Sequence, residues 1–313
     1  MEGVGHNVSS GNFYARRVIL RAFCTPMEGT DVRHGSLIIG CGYLGTILAH
    51  QLGQTGTTVF ATSRSPERLA TLKNELGASG ILFDPADPQT HSIQPVLDRI
   101  DRLDVFCLLP PSALADTLSR ERLKALLQRL PVNRAVLTSS TGIYGECAGG
   151  IVTATTEIRP VTERERRLCA IEECWSELPG GRIVRLAGIY GPGRVIGARA
   201  LREGRPVPGE PSALLNLIHA ADAVGLLRRC MHPQGALRIE VGSDGTPVVR
   251  EDYYRFLARE IGAAPPVFDR TRGDGDQGKA VDPSSSYERL GWWPRFPSYR
   301  EGLPDALGTE GTE

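Results

Sequence analysis

Short apolar runs alternate with longer amphipathic stretches through most of the chain. Leu37-Ile38-Ile39, Thr58 to Thr62, Ile81-Leu82-Phe83, Asp104 to Leu109, Arg134 to Thr138 and Arg182 to Ala187 have the length and apolar content of strands buried on both faces. Between and after them, the segment carrying Ile47, Leu48 and Leu52, then Pro66 to Leu76, Val96 to Leu103, Ala113 to Leu130, Thr162 to Leu178 and Ala220 to Cys230 repeat apolar residues at helical spacing. Pro66 in a first turn and Gly77 after a last one mark the limits of one helix. Thr162 with Glu165 forms a capping box at the start of another. Strands alternating with helices predict an α/β fold with a doubly wound parallel sheet, whose ligands lie at the carboxyl ends of the strands.

The first strand runs into Gly40-Cys41-Gly42-Tyr43-Leu44-Gly45 and then a helix. Each glycine answers a separate need: Gly40 a tight turn, Gly42 close approach of a pyrophosphate to the backbone, Gly45 close packing of helix on strand. The N–H groups of Tyr43, Leu44 and Gly45 open the helix and face the phosphates with the positive end of its dipole. The second strand ends in Thr62-Ser63-Arg64, without the Asp or Glu that would hold a ribose 2′-hydroxyl. Arg64, beside Ser63, is placed to pair with a 2′-phosphate, so NADP(H) is favoured and NAD left open. The alternative is that Arg64 is a solvated residue after a strand.

Composition narrows the classes. The 313 residues hold 36 basic and 36 acidic side chains, a balance that argues against nucleic acid or an anionic membrane as partner. Seven cysteines without metal-ligand spacing predict no metal site and fit a reducing, cytoplasmic compartment. No apolar run approaches a membrane span. Residues 1–34 read as an extension, disordered or preceding a true start at Met27; Glu2, Glu28 and Asp31 argue against a transit peptide.

Function is sought at the strand ends. The fifth strand enters Thr138-Ser139-Ser140-Thr141-Gly142-Ile143-Tyr144-Gly145, where consecutive hydroxyls facing a cofactor would polarise a carbonyl or hydroxyl. A Ser/Thr turn satisfying its own backbone is the bland alternative. The sixth strand leads to Gly188-Ile189-Tyr190-Gly191-Pro192-Gly193-Arg194.

Taken with Asp84 to Asp87, Asn216-Leu217-Ile218-His219 with Asp222, Leu290-Gly291-Trp292, and the run from Pro297 to Leu303, these motifs make residues 36 to about 307 resemble the extended and atypical short-chain dehydrogenase/reductase families, which include NAD(P)-dependent epimerases and dehydratases. The resemblance implies a Rossmann-type sheet with a smaller carboxyl-terminal substrate lobe. The dinucleotide-binding part would be 35–190 with 214–242, and the lobe 191–213 with 243–313. It implies that Ser140 holds the substrate oxygen, that Leu109 and Pro110 lie along the cofactor, that Asp84 stands near the adenine, and that Pro192 and Gly193 stand beside the nicotinamide. Ser139 is grouped with the cofactor contacts. A homodimer is compatible with the resemblance, and the oligomeric state stays open.

One departure matters. The family's Tyr-x-x-x-Lys pair, whose lysine lowers the tyrosine pKa for proton exchange, falls here on Arg164 and Leu168, and no such pair occurs elsewhere. Arginine stays protonated and cannot act as a base. Tyr144 and His219 are candidate substitutes for the proton donor, each with a structural alternative as loop wall or helix cap. Arg164 and Arg166 are candidate anion binders, or a solvated helix face. Two expectations follow: an NADP(H)-dependent oxidoreductase or epimerase-like enzyme on a small carbonyl or sugar-type substrate, or a non-catalytic NADP(H)-binding redox sensor.

Overall fold

In a computed structural model, residues 32–87, 93–232, 238–271 and 275–308 are described, so the expectation for residues 1–31 lies outside them. Seven parallel strands build the central sheet: β1 (His34–Ile39), β2 (Thr58–Ser63), β3 (Ser79–Leu82), β4 (Arg102–Cys107), β5 (Val132–Ser140), β6 (Gly181–Leu186) and β7 (Ile239–Gly242). Their order is β7-β6-β5-β4-β1-β2-β3. The order reverses between β1 and β4, which opens a crevice beyond their carboxyl ends.

Successive residues of β1 point to opposite faces, so one strand feeds two cores. Ile38 packs with Leu44 and Leu48 of α1 (Tyr43–Gln54), Leu72 of α2 (Pro66–Leu76) and, after α3 (Thr117–Gln128) and α4 (Glu163–Ser176), Val224 and Leu227 of α5 (Ala220–Cys230). Leu37 and Ile39 pack with Leu123 and Leu127 of α3 and Ile171 and Trp175 of α4. Helices on both faces explain why these strands read as continuous apolar runs rather than alternating ones.

The helix limits follow local chemistry. Ser65 caps α2 by accepting the Arg68 N–H, and Gly77 ends it at φ 63°. The Thr162/Glu165 capping box is formed. Two expectations were too long. The segment expected as a helix over 96–103 is only Gln94–Leu97, because residues 102 and 103 are already in β4. The helix expected over 113–130 is a 3-10 turn, Pro111–Leu114, followed by α3, because the Asp116 side chain caps α3 at the Ser119 N–H.

A third core lies beside the sheet's carboxyl ends, where Tyr190, Leu201 and Leu217 pack with Tyr253 and Leu257 of α6 (Arg250–Glu260) and Tyr299 and Leu303 of α7 (Tyr299–Gly308). Two residues of the expected motifs fasten this region by backbone hydrogen bonds. Asp222 accepts from the N–H groups of Arg295 and Phe296, at 2.7 and 3.0 Å. Asn216 donates to the Lys279 carbonyl and accepts from the Val281 N–H, each at 2.8 Å. Among the described residues, no helix is long and apolar enough to cross a membrane.

Candidate active-site cleft

A cavity of about 480 Å³ lies at the topological switch, lined by the glycine loop, Leu109 and Pro110 after β4, the end of β5, Arg164, and the turn after β6 as far as Arg194. Its first wall is backbone. Gly40 sits at φ +86°, and a Cβ there would stand 3.0 Å from the Leu109 amide nitrogen. A Cβ on Gly45 would meet the Gly40 carbonyl oxygen at 3.2 Å and the Cys41 sulfur at 3.3 Å, so the absent side chain lets α1 pack close against β1. A Cβ on Gly42 would meet nothing within 4 Å; it would project into the open cradle. Among the described residues no side chain caps α1, and its first turn carries no acid, unlike α4, so the amides of Tyr43, Leu44 and Gly45 are left for a ligand. Those two properties, an empty cradle and an uncapped helix start, fit a dinucleotide pyrophosphate.

The end of β2 is tied to this loop. Gly40 N donates to Thr62 Oγ1 at 3.0 Å and Cys41 N to the Thr62 carbonyl at 3.2 Å. Ser63 Oγ accepts from Ser65 N, while Arg64 is exposed after the strand. Arg68, which sequence reasoning missed, donates to Thr46 Oγ1 at 2.6 Å, and that hydroxyl donates to the Gly42 carbonyl. Asp84 is not among the lining residues; its carboxylate accepts from Ala86 N within its own turn.

The second wall is made of side chains, and the strand's alternation sorts the hydroxyls. Thr138 and Ser140 share one face of β5, while Ser139 points the other way and donates to Glu172 at 2.6 Å. The expectation of consecutive hydroxyls all facing the cofactor is therefore corrected: Ser139 borders the cavity, but its hydroxyl is engaged by Glu172. Ser140 Oγ accepts from Gly142 N at 3.1 Å, capping a 3-10 turn over Thr141–Tyr144, and its own proton has no acceptor among the described residues. Thr138 Oγ1 is buried without a partner among the described residues.

Tyr144 is corrected more sharply. Its hydroxyl donates to the Thr153 carbonyl at 2.6 Å and accepts from Arg185 Nη1 at 3.0 Å, and it is not among the residues lining the cavity. Burial raises its pKa further, so it is neither free nor disposed to give up a proton. Arg185 also makes a buried pair with Glu172, Nη2 to Oε2 2.7 Å, and its guanidinium lies 5.1 Å from the Tyr144 ring. This network behind Ser140 went unread in the sequence, although a charge inside the apolar run Val184-Arg185-Leu186 demands a buried partner.

His219 is also engaged. Its Nδ1 accepts from Ala221 N, capping α5, and its Nε2 lies 3.3 Å from Asp305 without hydrogen-bond geometry. Burial lowers its pKa against the pull of Asp305. Tyr43 lines the cavity but donates its hydroxyl to the Pro192 carbonyl at 3.0 Å, holding the 191–194 turn against the glycine loop. At the Tyr-x-x-x-Lys positions, Leu168 is 2% exposed in the core and Arg164 stands in the cavity wall. Lys279 approaches this region from another element, donating to the Gly145 carbonyl at 2.6 Å with its pKa lowered by burial. Nothing in its spacing pointed to it. Among the described residues, no cluster of three metal-ligating side chains occurs.

Comparison with known proteins follows the same lines. Residues 37–131 match the family described as NADP oxidoreductase coenzyme F420-dependent. Protein YeeZ of Escherichia coli (strain K12) is 31% identical over 280 residues, which cover 83% of this chain and 95% of YeeZ. A functionally unknown conserved protein from Silicibacter pomeroyi superposes with a TM-score of 0.73 at 25% identity, over 88% of this chain and 98% of that one. A putative NAD-dependent epimerase/dehydratase from Methylobacillus flagellatus has a TM-score of 0.70 at 24% identity, and UDP-glucose 4-epimerase from Thermotoga maritima 0.71 at 20%, both over the same shares.

Proposed function

The chain belongs to the short-chain dehydrogenase/reductase family in the branch that holds Protein YeeZ, and from that membership we propose an NADP(H)-dependent oxidoreductase or epimerase-like enzyme acting on a small carbonyl or sugar-type substrate. The observation that carries the reading is that the open cradle at Gly42 and the free hydroxyl of Ser140 border one cavity. The solved UDP-glucose 4-epimerase of the same fold holds UDP-glucose, which supports a sugar-type substrate here as one option.

The amides of Tyr43, Leu44 and Gly45 would hold the pyrophosphate, Gly42 admitting it to van der Waals contact. Arg64, with Arg68 behind it, would neutralise a 2′-phosphate, since no acid ends β2 to repel one. Leu109 and Pro110 would lie along the dinucleotide, and Pro192 and Gly193 beside its nicotinamide end. When bound, the dinucleotide supplies or accepts hydride. Ser140 would donate its free proton as a hydrogen bond to the reacting oxygen, stabilising the charge that develops there. With the Tyr43 and Tyr144 hydroxyls engaged by protein groups, the exchanged proton would come from water.

A second reading, a non-catalytic NADP(H)-binding sensor, is favoured by one observation: Leu168 is buried where the family keeps the lysine that activates tyrosine. NADPH oxidation across a panel of carbonyl and nucleotide-sugar substrates separates the two. Turnover that falls about a hundredfold in Ser140→Ala, with NADPH affinity unchanged, is expected of the enzyme. Tight NADPH binding without turnover on any substrate favours the sensor, and failure to bind NADPH overturns both.

A further inference from the structure

Arg164 and Arg166 stand two residues apart on α4, and the fold treats them oppositely. Arg166 donates to the Val161 carbonyl at 2.8 Å and lies 3.6 Å from Glu163. Arg164 lines the cavity, its Nη2 3.4 Å from the point a Gly142 Cβ would occupy; Ser140 Oγ is 3.2 Å from that same point. The acids of α4 nearest to it are engaged elsewhere: Glu163 with Arg166 and Arg167, Glu165 with the amides of Val161 and Thr162, Glu172 with Arg185. The described cavity lining carries two guanidinium groups, Arg164 and Arg194, and no carboxylate. Arg194, next to Gly193, has its guanidinium 5.7 Å from the Tyr43 ring. Arg164 is thus a cation beside Ser140 that lines the cavity and makes no ion pair with an acid among the described residues.

A forked guanidinium binds carboxylate or phosphate through two parallel charge-assisted hydrogen bonds. We infer that Arg164 receives an oxyanion carried by the substrate, close to the oxygen that Ser140 holds. The inference rests on the proposed function, because Ser140 is the oxygen contact in that reading. Ser140 Oγ and Arg164 Nη2 both flank the Cβ position of Gly142 and are no more than 6.6 Å apart, a separation that a small acid such as a 2-oxo or 2-hydroxy acid can span. The position that carries tyrosine elsewhere in the family has become a specificity residue.

The test is calorimetric titration of oxamate, a non-reducible 2-oxo acid mimic, against its neutral isostere oxamide and against inorganic phosphate, on the protein with and without saturating NADPH. Oxamate is expected to bind at least tenfold more tightly than oxamide. Arg164→Gln should weaken oxamate about ten- to a hundredfold, the value of hydrogen bonds to a charged group, while NADPH affinity stays the same. Arg166→Gln, outside the cavity, should change neither. Phosphate binding more tightly than oxamate, with the same Arg164 dependence, would assign the oxyanion as a phosphate. Oxamate binding no better than oxamide with phosphate equally weak, or binding untouched in Arg164→Gln, overturns the inference. Loss of NADPH binding by the wild-type protein would instead overturn the proposed function, and the anion titrations without NADPH would still decide Arg164.

Discussion

The two walls of the cavity are built from different materials. On the β1 side the surface is backbone: Gly40 cannot carry a Cβ without meeting the Leu109 amide, Gly45 is closed by Gly40 and Cys41, and Gly42 faces open space. On the β5 side it is side chains, Thr138, Ser140 and Arg164, backed by the buried Arg185–Glu172 pair. A backbone wall tolerates almost no change in residue type, whereas a side-chain wall can exchange its chemistry while the strand and helix behind it stay in place. That is why the glycine loop keeps its pattern and the Tyr and Lys positions hold Arg164 and Leu168.

The contrast breaks most visibly at the backbone wall. Gly42→Val should fill the cradle and cut dinucleotide affinity by about a thousandfold or more, roughly 4 kcal/mol, with the fold retained because a Cβ there meets no protein atom within 4 Å. Calorimetry with NADPH beside thermal denaturation checks both halves; retained affinity would remove the pyrophosphate from this loop.

Behind the side-chain wall, Glu172→Ala strands the buried Arg185 guanidinium and frees Ser139. Removing one partner of a buried pair costs about 3–5 kcal/mol. Urea unfolding should report a loss of that order, and a loss below about 1 kcal/mol would mean that the network does not support the wall.

Between the walls, at the end of β2, Arg64→Ala should weaken NADPH by about ten- to a hundredfold and leave NADH nearly untouched. Equal losses for both dinucleotides would give Arg64 another task, such as stacking on the adenine, and would shift attention to Arg68. The smallest effect is expected of Ser139→Ala, which deletes one buried hydrogen bond to a charged acceptor that Arg185 still holds, at about 1–2 kcal/mol of stability. Its turnover should match wild type, in contrast to Ser140→Ala. Parallel kinetic loss in both variants would contradict the sorting of hydroxyls by strand face.

The strand and helix pattern, the glycine loop, the missing acid after β2 and the vacated Tyr and Lys positions were all legible in the linear sequence. Each depends on local rules: the period of apolar residues, the steric demands of a turn, the caps of a helix. Pro66 and Gly77 marked the two ends of α2, and the capping box marked the start of α4, to within a residue. What the chain alone left open were questions of direction and of partners distant in sequence. Ser139 and Ser140 are adjacent letters, and only the pleat of β5 turns one to Glu172 and the other to the cavity. Arg164 and Arg166 have the same chemistry and lie on one helix, yet Glu163 and the Val161 carbonyl engage one and the cavity receives the other. Tyr144 reads as either a proton donor or a loop wall until Thr153 and Arg185, the latter 41 residues away, meet its hydroxyl. Lys279 reaches the Gly145 carbonyl across 134 residues. Local periodicity specifies what an element is, but the acceptor that engages a hydroxyl or guanidinium is chosen by packing, and packing exists only once the elements have met.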